Sequence, residues 1–210
     1  QRQMCIRDRS AALAAAHAGA EVILCDEQPE TGGAFHHETD ATVDGQPGWD
    51  WAQKVTAELR AMDNVRVLTR TTAFGYQAQN HVGLVERVTE HLANPDPSLP
   101  RERLWQVRAR QVVIATGAIE RHMVFANNDR PGIMLASAAR TYLNHFGVAV
   151  GAKVGVYTAC DSAWSAAFDL KQAGVSVPAI VDVRPDPDPA LVARAKELGI
   201  EVLAGQAVLD

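Results

Sequence analysis

The sequence predicts an α/β fold, a parallel sheet with an inserted antiparallel layer. Two observations carry this prediction. Residues 112–115, VVIA, form an apolar run without a polar face, as in strands buried on both sides of a parallel sheet. Helical patterns alternate with short β-branched runs toward both ends of the chain, which is the order typical of α/β domains. Hydrophobic residues make up 47% and charged residues 21% of the 210, which is ordinary for a globular protein.

Charge and cysteine content exclude several classes of function. The net charge of -5, the pI of about 5.8 and the lack of clustered Lys and Arg argue against a nucleic-acid partner. No apolar run approaches the ~18 residues needed to span a bilayer, and the start does not resemble a signal peptide. Cys5, Cys25 and Cys160 lie far apart, which favours free thiols. We therefore expect a cytoplasmic protein without a membrane partner.

The first nine residues, QRQMCIRDR, are highly charged and share no periodicity with the residues after them. We interpret residues 1–9 as foreign or scar sequence. From Ser10 an Ala-rich helix runs to Gly19, and a strand is predicted at 21–25. This is the second half of a dinucleotide-binding βαβ unit, whose first strand and Gly-x-Gly-x-x-Gly turn would lie upstream of Ser10. The first domain, 10–150, is therefore expected to lack both.

Two acidic residues end the strand predicted at 21–25. Such folds place an acidic side chain there to accept hydrogen bonds from ribose hydroxyls, and Asp26 is the better candidate by position, with Glu27 second. A solvated acidic turn is the alternative. Gly32 and Gly33 follow at the spacing of flavoprotein folds and allow the backbone to approach a dinucleotide. The histidine pair after them has no further metal-type residue at useful spacing, so no metal site is predicted.

Apolar spacing of three and four residues predicts a helix at 49–62, and residues 65–69 alternate as a strand. The antiparallel layer comes next. Its predicted strands are 73–76, 82–88 and 104–108, with a proline-rich turn at 94–100. A turn at 127–132 and a helix at 135–146 complete the first domain.

A second α/β unit is predicted at 151–210, with strands at 153–157, 177–183 and 200–203 and helices at 162–173 and 191–198. Residues 158–163, TACDSA, stand where nucleotide-binding units carry Gly-x-Gly-x-x-Gly or Gly-x-Gly-x-x-Ala. Their side chains would crowd a pyrophosphate, and Asp161 places negative charge at a helix start. We interpret this domain as degenerate, with Asp182 either at a ribose-acid position or in a surface turn. Cys160 is interpreted as a small buried residue rather than a redox thiol.

The order of these features resembles the two-dinucleotide-binding flavoproteins of the pyridine nucleotide-disulfide oxidoreductase type. The resemblance implies a Rossmann-like FAD/NAD(P)-binding fold, truncated at both ends of this chain. In that family Ala-Thr-Gly marks the return of the chain to the first dinucleotide domain. The resemblance therefore places Thr116 and Gly117 near the cofactor, and Ala73 is a weaker candidate for a contact near adenine.

Residues 115–170 resemble, more specifically, the alpha subunit of heterotetrameric sarcosine oxidase. The segments IER, FANNDRPGIMLASA and DSAWSAAFDL carry the resemblance, and VILCDEQPETGG agrees with it. Opine oxidase and cyanide synthase subunits share less of these segments. The resemblance implies oxidative demethylation of sarcosine to glycine in a complex with the sarcosine oxidase beta subunit, together with smaller subunits. It also implies NAD in the alpha dinucleotide domain, FMN at the alpha-beta interface, FAD in the beta subunit, and tetrahydrofolate in a domain outside these residues.

These residues offer no convincing general base, nucleophile or metal cluster. We therefore expect no catalytic residue here, and a chain that is inactive by itself but forms part of an oxidoreductase complex. FAD instead of NAD in the first domain stays open. So do two other functions, an FAD-dependent NAD(P)H oxidoreductase and a non-catalytic nucleotide-binding assembly subunit. The former is disfavoured by the absent Cys-x-x-Cys pair and by the degenerate second glycine loop.

Overall fold

The computed structural model describes residues 4–209, which fall into two compact units. The first unit comprises 4–35 and 40–117, and the second comprises 36–39 and 118–209. The sequence predicts a domain boundary near residue 150. In the structure, residues 118–150 belong to the second unit. Helix α1 (Met4–His17) runs through residue 9 without a break. Residues 1–3 of the predicted foreign segment lie outside the described residues, and its foreign origin stays a prediction.

The first unit contains both predicted layers. After α1 its elements are β1 (Val22–Cys25), β2 (Thr42–Val43), β3 (Gln46–Pro47), α2 (Gly48–Arg60), β4 (Val65–Leu68), β5 (Thr71–Gln77), β6 (His81–Arg87) and β7 (Glu102–Arg108). Strands β1 and β4 pair in parallel, whereas β5, β6 and β7 form an antiparallel sheet in that order. The parallel pair holds the end of β1, where the sequence places an acidic site.

Helices α1 and α2 supply the core that supports this parallel pair. The buried residues are Ala12, Ala16, Leu24, Val55 and Leu59. On α2 the buried positions recur at three- and four-residue spacing, as an amphipathic helix requires. The side-chain amide of Asn64 donates to the carbonyl of Ala16, in the last turn of α1, and to that of Ala20, just beyond the helix, and so ties the end of α1 to the start of β4.

Two glycines of this unit lie against aromatic rings. A Cβ atom added at Gly48 would lie 2.5 Å from the ring of Phe35, which is 4% exposed. One added at Gly83 would lie 2.6 Å from the ring of Phe74, which is 60% exposed. The contact distances match, but only the second ring has solvent to move into.

Residues 112–115 do not form the predicted strand. They have no regular secondary structure, and Val113 and Ile114 are 67% and 68% exposed. A strand is stable only when a neighbour receives its backbone hydrogen bonds. Among residues 4–209, no sheet offers this segment such a neighbour. The prediction of a buried strand at 112–115 is therefore wrong, although the run is apolar.

The second unit is a three-stranded parallel sheet with helices. Its elements are α3 (Ala136–Asn144), β8 (Val156–Thr158), α4 (Ser162–Gln172), β9 (Ala179–Asp182), α5 (Pro189–Glu197) and β10 (Glu201–Ala204). The strands lie side by side in chain order, each parallel to the next. Trp164, Phe168 and Ile180 lie at the centre of its core. No helix within residues 4–209 has the length and apolar character needed to cross a membrane.

Candidate functional site

The end of β1 is fixed to the turn between β4 and β5. Asp26 donates its amide to the carbonyl of Leu68 at 2.9 Å, and its own carbonyl accepts from the amide of Thr71 at 2.8 Å. Oδ1 of Asp26 accepts from the amide of Gln28 at 2.9 Å, which closes an Asx turn. Among the described residues, no donor forms a hydrogen bond with Oδ2 of Asp26. A carboxylate held in this way has one oxygen left to accept from a ribose hydroxyl, so its chemistry fits the adenosine half of a dinucleotide.

A second carboxyl group lies near Asp26. Burial raises the pKa of Asp8, on α1, and the charge of Asp26 adds to that effect, while Arg9 opposes it. Arg9 is buried, and its Nη1 lies 3.2 Å from Oδ1 of Asp8. Sequence reasoning misses this pair because it sets residues 1–9 aside as foreign, and no motif identifies it.

The predicted glycines follow Asp26 by six and seven residues along the chain. Glu27 is exposed and Gly32 is buried. Gly33 is exposed, has φ +53°, and begins a 3-10 turn (Gly33–His36), so its backbone adopts a conformation that glycine favours. Ala73 is exposed on β5, two residues beyond the amide that bonds to the carbonyl of Asp26. The structure therefore brings the acidic strand end and the beginning of β5 together, and we call this part of the first unit the β1–β5 corner. A contact of Asp26 with ribose and of Ala73 near adenine stay predictions.

The structure does not join Thr116 and Gly117 to this corner. Both are exposed, and within residues 4–209 no hydrogen bond links them to the loop after β1. Gly117 has φ +78°, and a Cβ atom added there would meet nothing within 4 Å. Glycine is required at this position by the backbone conformation rather than by close packing.

A buried ionic group lies in the second unit. Arg140 Nε donates to Asp169 Oδ2 at 2.6 Å, and the side-chain amide of Asn144 donates to that oxygen and to the carbonyl of His37. Burial lowers the pKa of His37, and the charge of Arg140 lowers it further. The described residues contain no group of three or more His, Cys, Asp or Glu that could hold a metal ion. These hydrogen bonds tie α3 to α4 and to the segment that contains His37, so we assign the group a structural role.

Cys160 lies in the loop that precedes α4 and is exposed. Its interpretation as a small buried residue is wrong. Thr158, the last residue of β8, is buried instead, and its hydroxyl donates to the carbonyl of Cys160 and accepts from its amide. The sequence does not show which of the two side chains turns inward.

Comparison with known proteins points to one family. The chain is 50% identical over 176 residues to the sarcosine oxidase alpha subunit of Rhizobium meliloti (strain 1021), and 44% identical over 202 residues to that of Corynebacterium sp. (strain P-1). These alignments cover 84% and 96% of this chain. The chain is homologous to a segment of the sarcosine oxidase alpha subunit. It spans 18% and 21% of the lengths of these two relatives, about a fifth.

A more distant relative matches the chain in sequence, and two solved structures share its fold. The A subunit of opine oxidase from Agrobacterium tumefaciens (strain Ach5) is 28% identical over 190 residues, which cover 85% of this chain and 35% of that subunit. L-proline dehydrogenase from P. horikoshii matches 90% of this chain and 35% of its own, with TM-score 0.63 and 20% identity. The NADH-bound water-forming NADH oxidase from Lactobacillus brevis matches 98% and 45%, with TM-score 0.58 and 13% identity. No protein-family model matches the chain. The predicted Rossmann-like α/β fold is therefore confirmed.

Proposed function

We propose that this chain is the dinucleotide-binding portion of an amine-oxidising flavoenzyme subunit of the sarcosine oxidase alpha type. The observation that carries the proposal is identity of 44–50% to such subunits over most of the chain. The complex oxidatively demethylates sarcosine to glycine in the cytoplasm. It is a heterotetramer in which FAD of the beta subunit oxidises the amine and FMN lies at the alpha-beta interface. Tetrahydrofolate accepts the formaldehyde in a domain outside these residues.

The first domain holds NAD in this proposal, with FAD as the alternative. Both carry an adenosine ribose, so the assignment of Asp26 is the same for each. Its Oδ2 accepts from a ribose hydroxyl, and the exposed Glu27 is the second candidate. We assign backbone contacts with the dinucleotide to Gly32, Gly33, Thr116 and Gly117, and a contact near adenine to Ala73.

Anaerobic reduction of the intact complex tests the activity. Sarcosine should bleach the flavin absorbance, because the amine is the electron donor. Bleaching by NADPH alone would refute the proposal and would favour a flavin-dependent NAD(P)H oxidoreductase. No response to either compound would favour a non-catalytic nucleotide-binding assembly subunit.

A matched pair of variants in the intact complex tests the binding site. Asp26→Asn removes the charge from the carboxyl that ends β1, and should weaken NAD binding by about tenfold to a hundredfold, since a hydrogen bond to a charged group contributes about 1.5–3 kcal/mol. Glu27→Gln makes the same chemical change one residue away on an exposed side chain, and should alter affinity by less than about twofold. Isothermal titration measures both. Equal effects of the two variants would contradict the assignment to Asp26.

A further inference from the structure

The carboxyl edge of the sheet in the second unit is where an open parallel sheet binds its ligands. Two features meet there, the loop between β8 and α4 and the end of β9. The loop amide of Cys160 donates to Thr158 Oγ1 at 3.0 Å, so this N–H is used inside the loop and does not point at a ligand. A phosphate at a helix start depends on such amides.

Both oxygens of the Asp182 carboxylate are already occupied. Oδ1 accepts from the amide of Arg184 at 2.9 Å and from its Nε at 3.0 Å. Oδ2 accepts from Trp164 Nε1 at 3.0 Å and from Arg184 Nη2 at 2.7 Å. Asp182 is fully buried. A carboxylate offers about four acceptor positions, and here four donors take them, which leaves none for a ribose hydroxyl.

Arg184 also closes the space between the strand end and the helix start. Its Nη2 lies 2.8 Å from Oδ1 of Asp161, the residue immediately before α4, as well as 2.7 Å from Asp182. The guanidinium thus joins the end of β9 to the beginning of α4.

We infer that Arg184 excludes dinucleotides from the second unit. Its side chain occupies the position between the two carboxylates, Asp161 and Asp182, and the second unit is a structural module. Dinucleotide binding by this chain then belongs to the first unit alone. The inference concerns only the second unit, so it stands or fails independently of binding in the first.

Hydrogen exchange of the full chain, read by mass spectrometry, tests this inference with NAD, NADH and NADPH at millimolar concentration. Peptides covering 156–165 and 179–186 should exchange at the same rate with and without nucleotide. A bound nucleotide slows exchange about twofold when its concentration equals its dissociation constant. Slowing of that size in both peptides of the unaltered chain would overturn the inference.

Two variants separate the role of Arg184 from that of the surrounding loop. Arg184→Ala frees acceptor positions on Asp182, so the same nucleotides should now slow exchange in 179–186. Asp161→Ala leaves the bond between Arg184 and Asp182 in place, and should show no slowing. If Arg184→Ala fails to fold, Arg184→Gln removes the charge while keeping a donor. A folded Arg184 variant that is no more protected than the unaltered chain would also overturn the inference, because something other than Arg184 would then exclude the nucleotide.

Discussion

Replacement of Asp182 by alanine should destabilise the second unit severely. The substitution leaves the indole N–H of Trp164, a fully buried side chain, without its acceptor, and it removes three hydrogen bonds of Arg184. Leaving a buried donor without its acceptor costs about 1–3 kcal/mol, and hydrogen bonds to a charged group contribute about 1.5–3 kcal/mol, so the expected loss is about 3–5 kcal/mol. For a chain of this size each kcal/mol lowers Tm by about 2–4 °C, so the expected fall is on the order of 10 °C.

Asp161 provides the matched control, because it contacts the same nitrogen of Arg184 at nearly the same distance. The side chain of Asp161 is 58% exposed, whereas that of Asp182 is 0% exposed. Exposed ion pairs contribute about 0–1 kcal/mol, so Asp161→Ala should lower Tm by no more than a few degrees. Thermal and urea unfolding followed by tryptophan fluorescence measure both variants. Similar losses for the two would refute the reasoning that burial, rather than distance, sets the energy.

The difference between these variants also depends on pH. Burial raises the pKa of Asp182, but the hydrogen bonds from Arg184 and Trp164 outweigh it and hold the pKa below its ordinary value. The stability contributed by this carboxylate is therefore fully present above the unfolded pKa of about 3.9, and is lost as pH falls through the lower folded value. The cost of Asp182→Ala should shrink in that acidic range. It should stay constant between about pH 5 and about pH 8, where the carboxyl group is charged in both the folded and the unfolded chain.

Three further predictions concern packing, protonation and thiol chemistry. Gly48→Ala should lower the free energy of unfolding in urea by about 1–3 kcal/mol, because the ring that the new methyl group meets is buried. Gly83→Ala should lower it by less than about 1 kcal/mol, because the ring there is exposed. Equal losses would contradict the packing. Burial lowers the pKa of His37, so the folded chain favours its neutral form. The free energy of unfolding should therefore fall as pH drops below about 6.5, and should fall less steeply in His37→Gln. Parallel pH profiles for the variant and the unaltered chain would exclude this role. Burial and the charge of Asp26 raise the pKa of the Cys25 thiol. Iodoacetamide at about pH 8 should therefore label Cys25 more slowly than the exposed Cys160, as mapped by mass spectrometry. The reverse order would contradict the observed burial.

Helices and paired strands are the part of the fold that the sequence predicts well. The apolar spacing on α2 and the glycine stops after α1 and α4 are local signals, so they identify these elements without knowledge of their neighbours. Residues 112–115 show the limit of this reasoning. An apolar run specifies a strand only if a partner strand is adjacent, and adjacency is not a local property.

The candidate site divides in the same way. Asp26 is predicted from sequence because its position after β1 is a local feature, and its role in binding stays a prediction. The structure adds the turn that leaves one of its oxygens without a donor among the described residues. Asp8 is missed because its proximity to Asp26 depends on how α1 packs. Thr116 and Gly117 stay predictions, since their role depends on contacts that no hydrogen bond of the described residues supplies.

The sequence by itself determined the α/β class, most of the order of the elements and the resemblance to the sarcosine oxidase alpha subunit, because each depends on local periodicity or on matching segments. Only the tertiary structure decided what the polar side chains do. Asp182 has the sequence position of a ribose acid, yet folding brings Trp164 and Arg184 onto its carboxylate from α4 and from the loop after β9. Asp26 has the same position in the first unit and keeps an oxygen without a donor among the described residues. The two aspartates differ because acceptors are filled by neighbours in space, which sequence position alone does not specify.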